Sequence, residues 1–160
     1  MYDPARGFPQ VVVELAYVDP DHAVDWLVHA FGFRLLLKQP ASGGIHHADL
    51  DTGGGVVMVR RTGERHTGAC AGDHTCKQVI VWVPDVDAHF THAEAAGAHI
   101  VQPPTDRPWG LRQYLVRDPE GHLWEFTRHL RDVPPGEWGA VATACLLPAR
   151  HTTPELEEAQ

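Results

Sequence analysis

The sequence is poor in cysteine, in basic runs and in long apolar stretches. Only Cys70, Cys76 and Cys145 occur among its 160 residues. An odd number argues against a disulfide framework. The opening, Met1-Tyr2-Asp3-Pro4, lacks the charged and apolar regions of a secretion signal, so the cytoplasm is the expected compartment. Lysine and arginine number 13 against 21 acidic residues, giving a net charge of −8. No cluster of them forms a basic stripe, so nucleic acid is not an expected partner. Apolar runs such as Val11 to Val13 and Leu35 to Leu37 fall far short of a membrane span. There is no Gly-rich phosphate loop, nucleophile elbow or Walker-type motif. What is present is a chain with 43% hydrophobic and 21% charged residues, long enough for one main core.

Val11 to Val18 is rich in β-branched residues and reads as a strand. Asp19-Pro20-Asp21 supplies a helix start, and Ala23, Trp26, Leu27, Ala30 and Phe31 follow at helical spacing up to Gly32. Strands are expected at Arg34 to Gln39, Ile45 to Asp51 and Val56 to Arg60, with a turn at Pro40 to Gly44. The same order then recurs. A strand at Gln78 to Val83 leads to Pro84-Asp85 and a helix carrying Val86, Phe90 and Ala93, which ends at Gly97. A short strand at His99 to Gln102, a loop at Pro103 to Gly110, and strands at Arg112 to Arg117 and Leu123 to Thr127 complete the set.

Landmarks recur at nearly constant offset. Asp19 and Asp85 are 66 residues apart, Gly32 and Gly97 are 65, and Asp51 and Asp118 are 67. Such self-similarity is the signature of a duplicated unit, here βαβββ. The expected domain spans residues 1–132, with unit one at about 9–61, a linker at 62–75 and unit two at about 76–131. A C-terminal extension over 133–160 is expected to be partly disordered. The linker region holds His66, Cys70, His74 and Cys76, but their spacing matches no familiar zinc finger, so a flexible loop is expected there.

Three stretches resemble the glyoxalase/bleomycin-resistance/dioxygenase group of the vicinal oxygen chelate superfamily. They are Tyr17-Val18-Asp19-Pro20 with Ala30-Phe31-Gly32-Phe33, His47-Ala48-Asp49-Leu50, and Trp109-Gly110-Leu111-Arg112 leading into Arg117-Asp118-Pro119-Glu120-Gly121-His122-Leu123-Trp124-Glu125-Phe126. The resemblance implies an α+β fold in which two tandem βαβββ units form curved mixed sheets around a shared cavity. It also implies a homodimer, since related proteins commonly pair or swap these units between chains. Metal-dependent members hold their ion on the first and fourth strands of each unit. The matching positions here are Val12 and Met58 in unit one, Gln78 and Glu125 in unit two. Valine and methionine are not plausible ligands, so no cofactor is expected. A divalent metal, if held, would use Gln78, Glu125 and His47.

Strand alternation from Val12 and Gln78 then assigns a cavity face lined by Glu14, His47, Asp49, Met58, Gln78, Trp82, Arg112, Tyr114 and Glu125. Glu14 interrupts an apolar strand, which suits a general base, an anchor for a ligand, or one half of a salt bridge, most simply to Arg112. His47 beside Asp49 suits proton transfer or ligand binding. Trp82, Tyr114 and Met58 suit an aromatic ligand, and Arg112 a carboxylate or phosphate. The expected function is cavity binding of a small aromatic or natural-product ligand, with antibiotic sequestration as its purpose. The alternatives are a metal-independent lyase, isomerase or cyclase using Glu14 and His47 as acid and base, and a divalent-metal lyase or dioxygenase.

Overall fold

A computed structural model describes residues 11–62 and 78–141. The expected linker cluster of His66, Cys70, His74 and Cys76, and most of the C-terminal extension, lie outside the described residues. Unit one comprises β1 (Val13–Tyr17), α1 (Pro20–Phe31), β2 (Arg34–Ala41), β3 (Gly44–Asp51) and β4 (Val56–Arg61). Unit two comprises β5 (Gln78–Trp82), α2 (Val86–Ala95), β6 (His99–Asp106), β7 (Leu111–Arg117) and β8 (Leu123–His129). A short 3-10 helix follows at Pro135–Trp138. The strands make two four-stranded sheets of identical topology, β1-β4-β3-β2 and β5-β8-β7-β6. In each, the first and last strands of the unit run parallel and the other pairs antiparallel. This is the expected α+β duplication of a βαβββ unit.

The helix start expected at Asp19 is the cap of α1, and its repeat equivalent Asp85 caps α2. The Asp19 carboxylate accepts from the His22 backbone N–H, and Asp85 accepts from those of Asp87 and Ala88. Gly32 closes α1 at φ +69°, a conformation that a β-carbon would strain. The two outer strands differ from expectation. β6 continues through Pro103 and Pro104, and β2 through Pro40. Each is the edge strand of its sheet, with a neighbour on one side only, and its pairing shifts register at the prolines, between Gln39 and Pro40 in β2 and between Gln102 and Thr105 in β6.

One core joins the units. Leu15, Tyr17, Leu27, Phe31 and Phe33 of unit one pack with Val86, Tyr114, Trp124 and Phe126 of unit two. The Phe31 ring lies 4.7 Å from that of Phe126 and 5.4 Å from that of Trp124. Full burial of one such aromatic side chain stabilises by about 1.5–3 kcal/mol. Polar ties reinforce the joint. The Tyr17 hydroxyl donates to Asp118 at 2.7 Å, and the Glu120 carboxylate accepts from the Val18 and Asp19 backbone N–H groups, both at 2.8 Å. His89 and His92 of α2 donate to the Phe31 and His29 carbonyls at the end of α1. Because the helix-side faces of both sheets meet in this core, their opposite faces point away from it. Those two open faces position the site.

Candidate functional site

On the open face of unit one, register sets Glu14 beside Met58 and Met58 beside Asp49. The next row is Ala16, Arg60 and His47. Across these rows Arg60 Nε donates to Glu14 at 3.0 Å, and His47 Nε2 donates to Asp49 at 2.8 Å. Glu14 is half-exposed, whereas Asp49 is buried. The face is therefore polar, with its charges paired within the chain.

On the open face of unit two the corresponding rows are Ile80, Glu125 and Leu115, then Trp82, Thr127 and Gln113. Glu125 is buried and accepts from two amides, Gln78 Nε2 at 2.6 Å and Gln113 Nε2. Gln113 in turn accepts from Arg107 Nε at 3.1 Å. Beside this satisfied polar row stand two large side chains in the open, Ile80 at 56% and Trp82 at 58% exposure. Thr127 is buried with its hydroxyl unpartnered. Gln113 and Arg107 were not among the sequence candidates. The register between the repeats was the signal that finds Gln113, since it lies 66 residues after His47, the same offset as Asp19 to Asp85.

Two expected positions are corrected. Arg112 and Tyr114 lie on the helix side of β7, not on the face of Gln78 and Trp82. Arg112 grips Asp87 of α2 at 2.8 Å and Asp106 at 2.6 Å, so its partner is not Glu14. Tyr114 is buried, and its hydroxyl bonds His89 Nδ1 at 2.6 Å. Burial pushes the Tyr114 phenol up and the His89 imidazole down from their ordinary values. His89 Nε2 must carry its proton, since it faces a carbonyl, so the neutral ring accepts from Tyr114. His89 has a lowered folded pKa, so its neutral form is a source of stability that holds above the unfolded value near 6.5 and fades as pH falls below it. The melting temperature should drop from about pH 7 to pH 5, and His89→Gln should flatten part of that slope. An unchanged slope in the variant would contradict this assignment.

Glu14, His47, Asp49 and Met58 thus gather on one open face, and Gln78, Trp82 and Glu125 on the other. Within one chain these faces do not meet. A shallow cleft of about 240 Å³ lies along the β1 and β5 edges, lined by Val13, Val57, Val79, Ile80 and Trp82 among others. Of the sequence candidates, only Trp82 reaches it.

The four metal-ligand positions of the fold do not fit a divalent ion. Val12 and Met58 offer no hard donor. A carboxylate can only accept, so Gln78 turns its N–H and not its oxygen toward Glu125. His47, the third expected donor, is on the other sheet and bonded to Asp49. Among the described residues, no group of three or more His, Cys, Asp and Glu side chains is placed to hold a metal.

Residues 9–126 match the family model of the Glyoxalase/Bleomycin resistance protein/Dioxygenase superfamily, and the chain belongs to that superfamily. A protein of Mycobacterium tuberculosis H37Rv, Rv0887c, is 34% identical over 132 residues, which cover 78% of this chain and 75% of that one. Among solved structures, TioX from Micromonospora sp. ML1 is 77% identical, covers 76% of this chain and 99% of its own, and superposes with a TM-score of 0.65. TnmS3, an antibiotic binding protein from Streptomyces sp. CB03234, shares the fold at 21% identity and a TM-score of 0.58, over 74% of this chain and 93% of its own. No described helix is long and apolar enough to cross a membrane.

Proposed function

We propose that this protein binds a small aromatic natural product, of the antibiotic class, and acts by sequestration as a metal-independent homodimer in the cytoplasm. The observation that carries the reading is the open face of unit two, where exposed Ile80 and Trp82 border a fully satisfied Gln78–Glu125–Gln113 row. An exposed apolar patch rimmed by polar groups is a binding surface. Prolines occupy the β2 and β6 edges, but the edge strands β1 and β5 have none and keep their free backbone groups. Setting β1 of one chain beside β5 of its partner joins the open face of unit one to that of unit two and encloses the ligand between them. The fold neighbour TnmS3, an antibiotic binding protein, supports the ligand class.

A second reading rests on the His47–Asp49 pair, because a carboxylate that orients an imidazole is how a general base is built. In that reading the protein is a lyase, isomerase or cyclase, with Glu14 as the second titrating group.

One sample tests both readings. Light scattering should give a dimer. Titration with a panel of antibiotics that carry planar aromatic groups, bleomycin and actinomycin D included, should quench tryptophan fluorescence for at least one, with a dissociation constant of about 10 µM or tighter. Elemental analysis should find well under about one divalent ion per chain. A monomer that no member of the panel quenches would overturn the proposal. An ion held stoichiometrically and lost in Glu125→Ala would replace it with metal chemistry. Product formation abolished by Glu14→Gln or His47→Gln would establish the enzyme reading instead.

A further inference from the structure

We propose that the tip of the β6–β7 hairpin, with Arg107, Trp109 and Trp138, is a subsite for a planar aromatic ring that carries a carboxylate or similar anionic oxygen group. The inference rests on the small-molecule reading above and names the chemistry of one end of the ligand.

The tip is held in place before any ligand arrives. Arg107 N–H donates to the Leu111 carbonyl at 2.7 Å, and Gly110 N–H to the Arg107 carbonyl at 3.0 Å. The Gly110 carbonyl accepts from the backbone of Leu130 and Arg131, which fastens the start of the segment leading to Trp138. Gly110 sits at φ +86°, and a β-carbon there would meet the Arg131 carbonyl oxygen at 2.0 Å, so only glycine permits this approach. The Trp109 and Trp138 rings stand 6.1 Å apart with planes inclined at 60°, and each remains about two-fifths exposed, at 39% and 40%. The two rings pack as a tilted pair, and their exposed parts offer π faces to a flat ring.

The cation beside them differs from most arginines of the described residues. Arg34, Arg60, Arg61 and Arg112 each pair with a carboxylate. Arg107 has no carboxylate partner among the described residues. Its Nε is fixed by Gln113, its guanidinium carbon lies 5.8 Å from the Trp109 ring centre, and Glu125 stands one amide further away. The forked Nη edge offers a ligand donors that no carboxylate of the described residues takes. An arginine fork matches a planar two-oxygen anion and binds it through paired N–H bonds. A cationic ligand would be repelled, and a neutral one would gain only the ring contacts. The Arg107–Gln113–Glu125 bonds tie this subsite to the open face carrying Trp82, where Gln113 and Trp82 flank Thr127 in one row.

The full-length protein should be titrated by calorimetry with naphthalene-2-carboxylate and with its neutral counterpart, naphthalene-2-carboxamide. The acid should bind at least about tenfold more tightly than the amide. Arg107→Met should erase that preference while its melting curve stays that of the native protein, and Arg107→Lys should retain part of it. Trp109→Leu should weaken both probes. Equal binding of acid and amide, or a preference that survives Arg107→Met, would overturn the subsite. If both probes then also lost binding in Trp82→Asp, the broader small-molecule reading would stand without it. Binding of neither probe would likewise remove this inference, and the antibiotic titration would decide the broader one. Should neutralising Glu155, Glu157 and Glu158 to glutamine strengthen acid binding severalfold, the chain's own acidic end would be the occupant, and the proposal would fail.

Discussion

Asp118→Ala should destabilise the protein by about 3–5 kcal/mol in denaturant unfolding. The Asp118 side chain is buried and takes bonds from the Tyr17 hydroxyl, the His122 imidazole at 3.0 Å, the Trp124 indole at 3.1 Å, and the backbone N–H groups of Glu120 and His122. Burial alone would raise its pKa, but the bonds from His122, Tyr17 and Trp124 outweigh that and hold it below the usual carboxylate value. Alanine would strand all of these donors in a site closed to water. The lesion would also cross the unit boundary, since Tyr17 belongs to β1 and Asp118 to the turn after β7. Tyr17→Phe removes one bond and should lose only about 1 kcal/mol. A loss below about 1 kcal/mol for Asp118→Ala would show that the aromatic core alone fixes the two units.

Trp82→Asp should reduce ligand affinity by about a hundredfold or more, with little change in monomer stability. Trp82 ends β5 on the open face, more than half exposed, with buried Thr127 as its register neighbour. An aromatic anchor there contributes contact area that no neighbour replaces, and a carboxylate in its place would have to be desolvated by an apolar ligand. Phe in its place should keep most of the affinity. Equal affinity for the native protein and Trp82→Asp would mean that the ligand sits elsewhere.

The repeat made most of the fold legible. Asp19 and Asp85, landmarks 66 residues apart, both cap helices, and the strands of each unit pair in one topology twice over. The prolines of β6 misled because Pro103-Pro104 reads as loop, and only the strand's place at a sheet edge makes it tolerable. In unit one Glu14 stands out in an apolar strand, and the register sets it in one row with Met58 and Asp49. β7 offers no such contrast. In Leu111-Arg112-Gln113-Tyr114-Leu115-Val116-Arg117, each alternating frame mixes polar and apolar residues, so the period alone cannot choose between them. A slip of one residue exchanges Gln113 and Leu115 for Arg112 and Tyr114, as one-residue slips in strands must. The long side chain of Arg112 finds its acids on α2, which is a tertiary fact. Arg107 does not stand out in the sequence, because its role depends on having no acidic partner among the described residues, and absence of a partner is invisible in a sequence. That the candidates of the two units lie on two separate sheets, each with its helix side turned to one core, was equally out of reach, since no local pattern reports how two sheets pack.

The central claim is that unit one of one chain and unit two of its partner together build the binding site. It is tested most directly by mixing two variants that are each defective on one open face, Met58→Arg in unit one and Trp82→Asp in unit two. Each variant alone should form a folded dimer that fails to bind the antibiotic recognised by the native protein. After co-refolding, each mixed dimer should contain one site built from both native faces and one built from both altered faces. The mixture should therefore regain native affinity at about one site per mixed dimer, which random re-pairing with the parental dimers dilutes to about half a site per dimer overall. A mixture as inactive as its two parents would contradict the account, because it would mean that each site is made within a single chain.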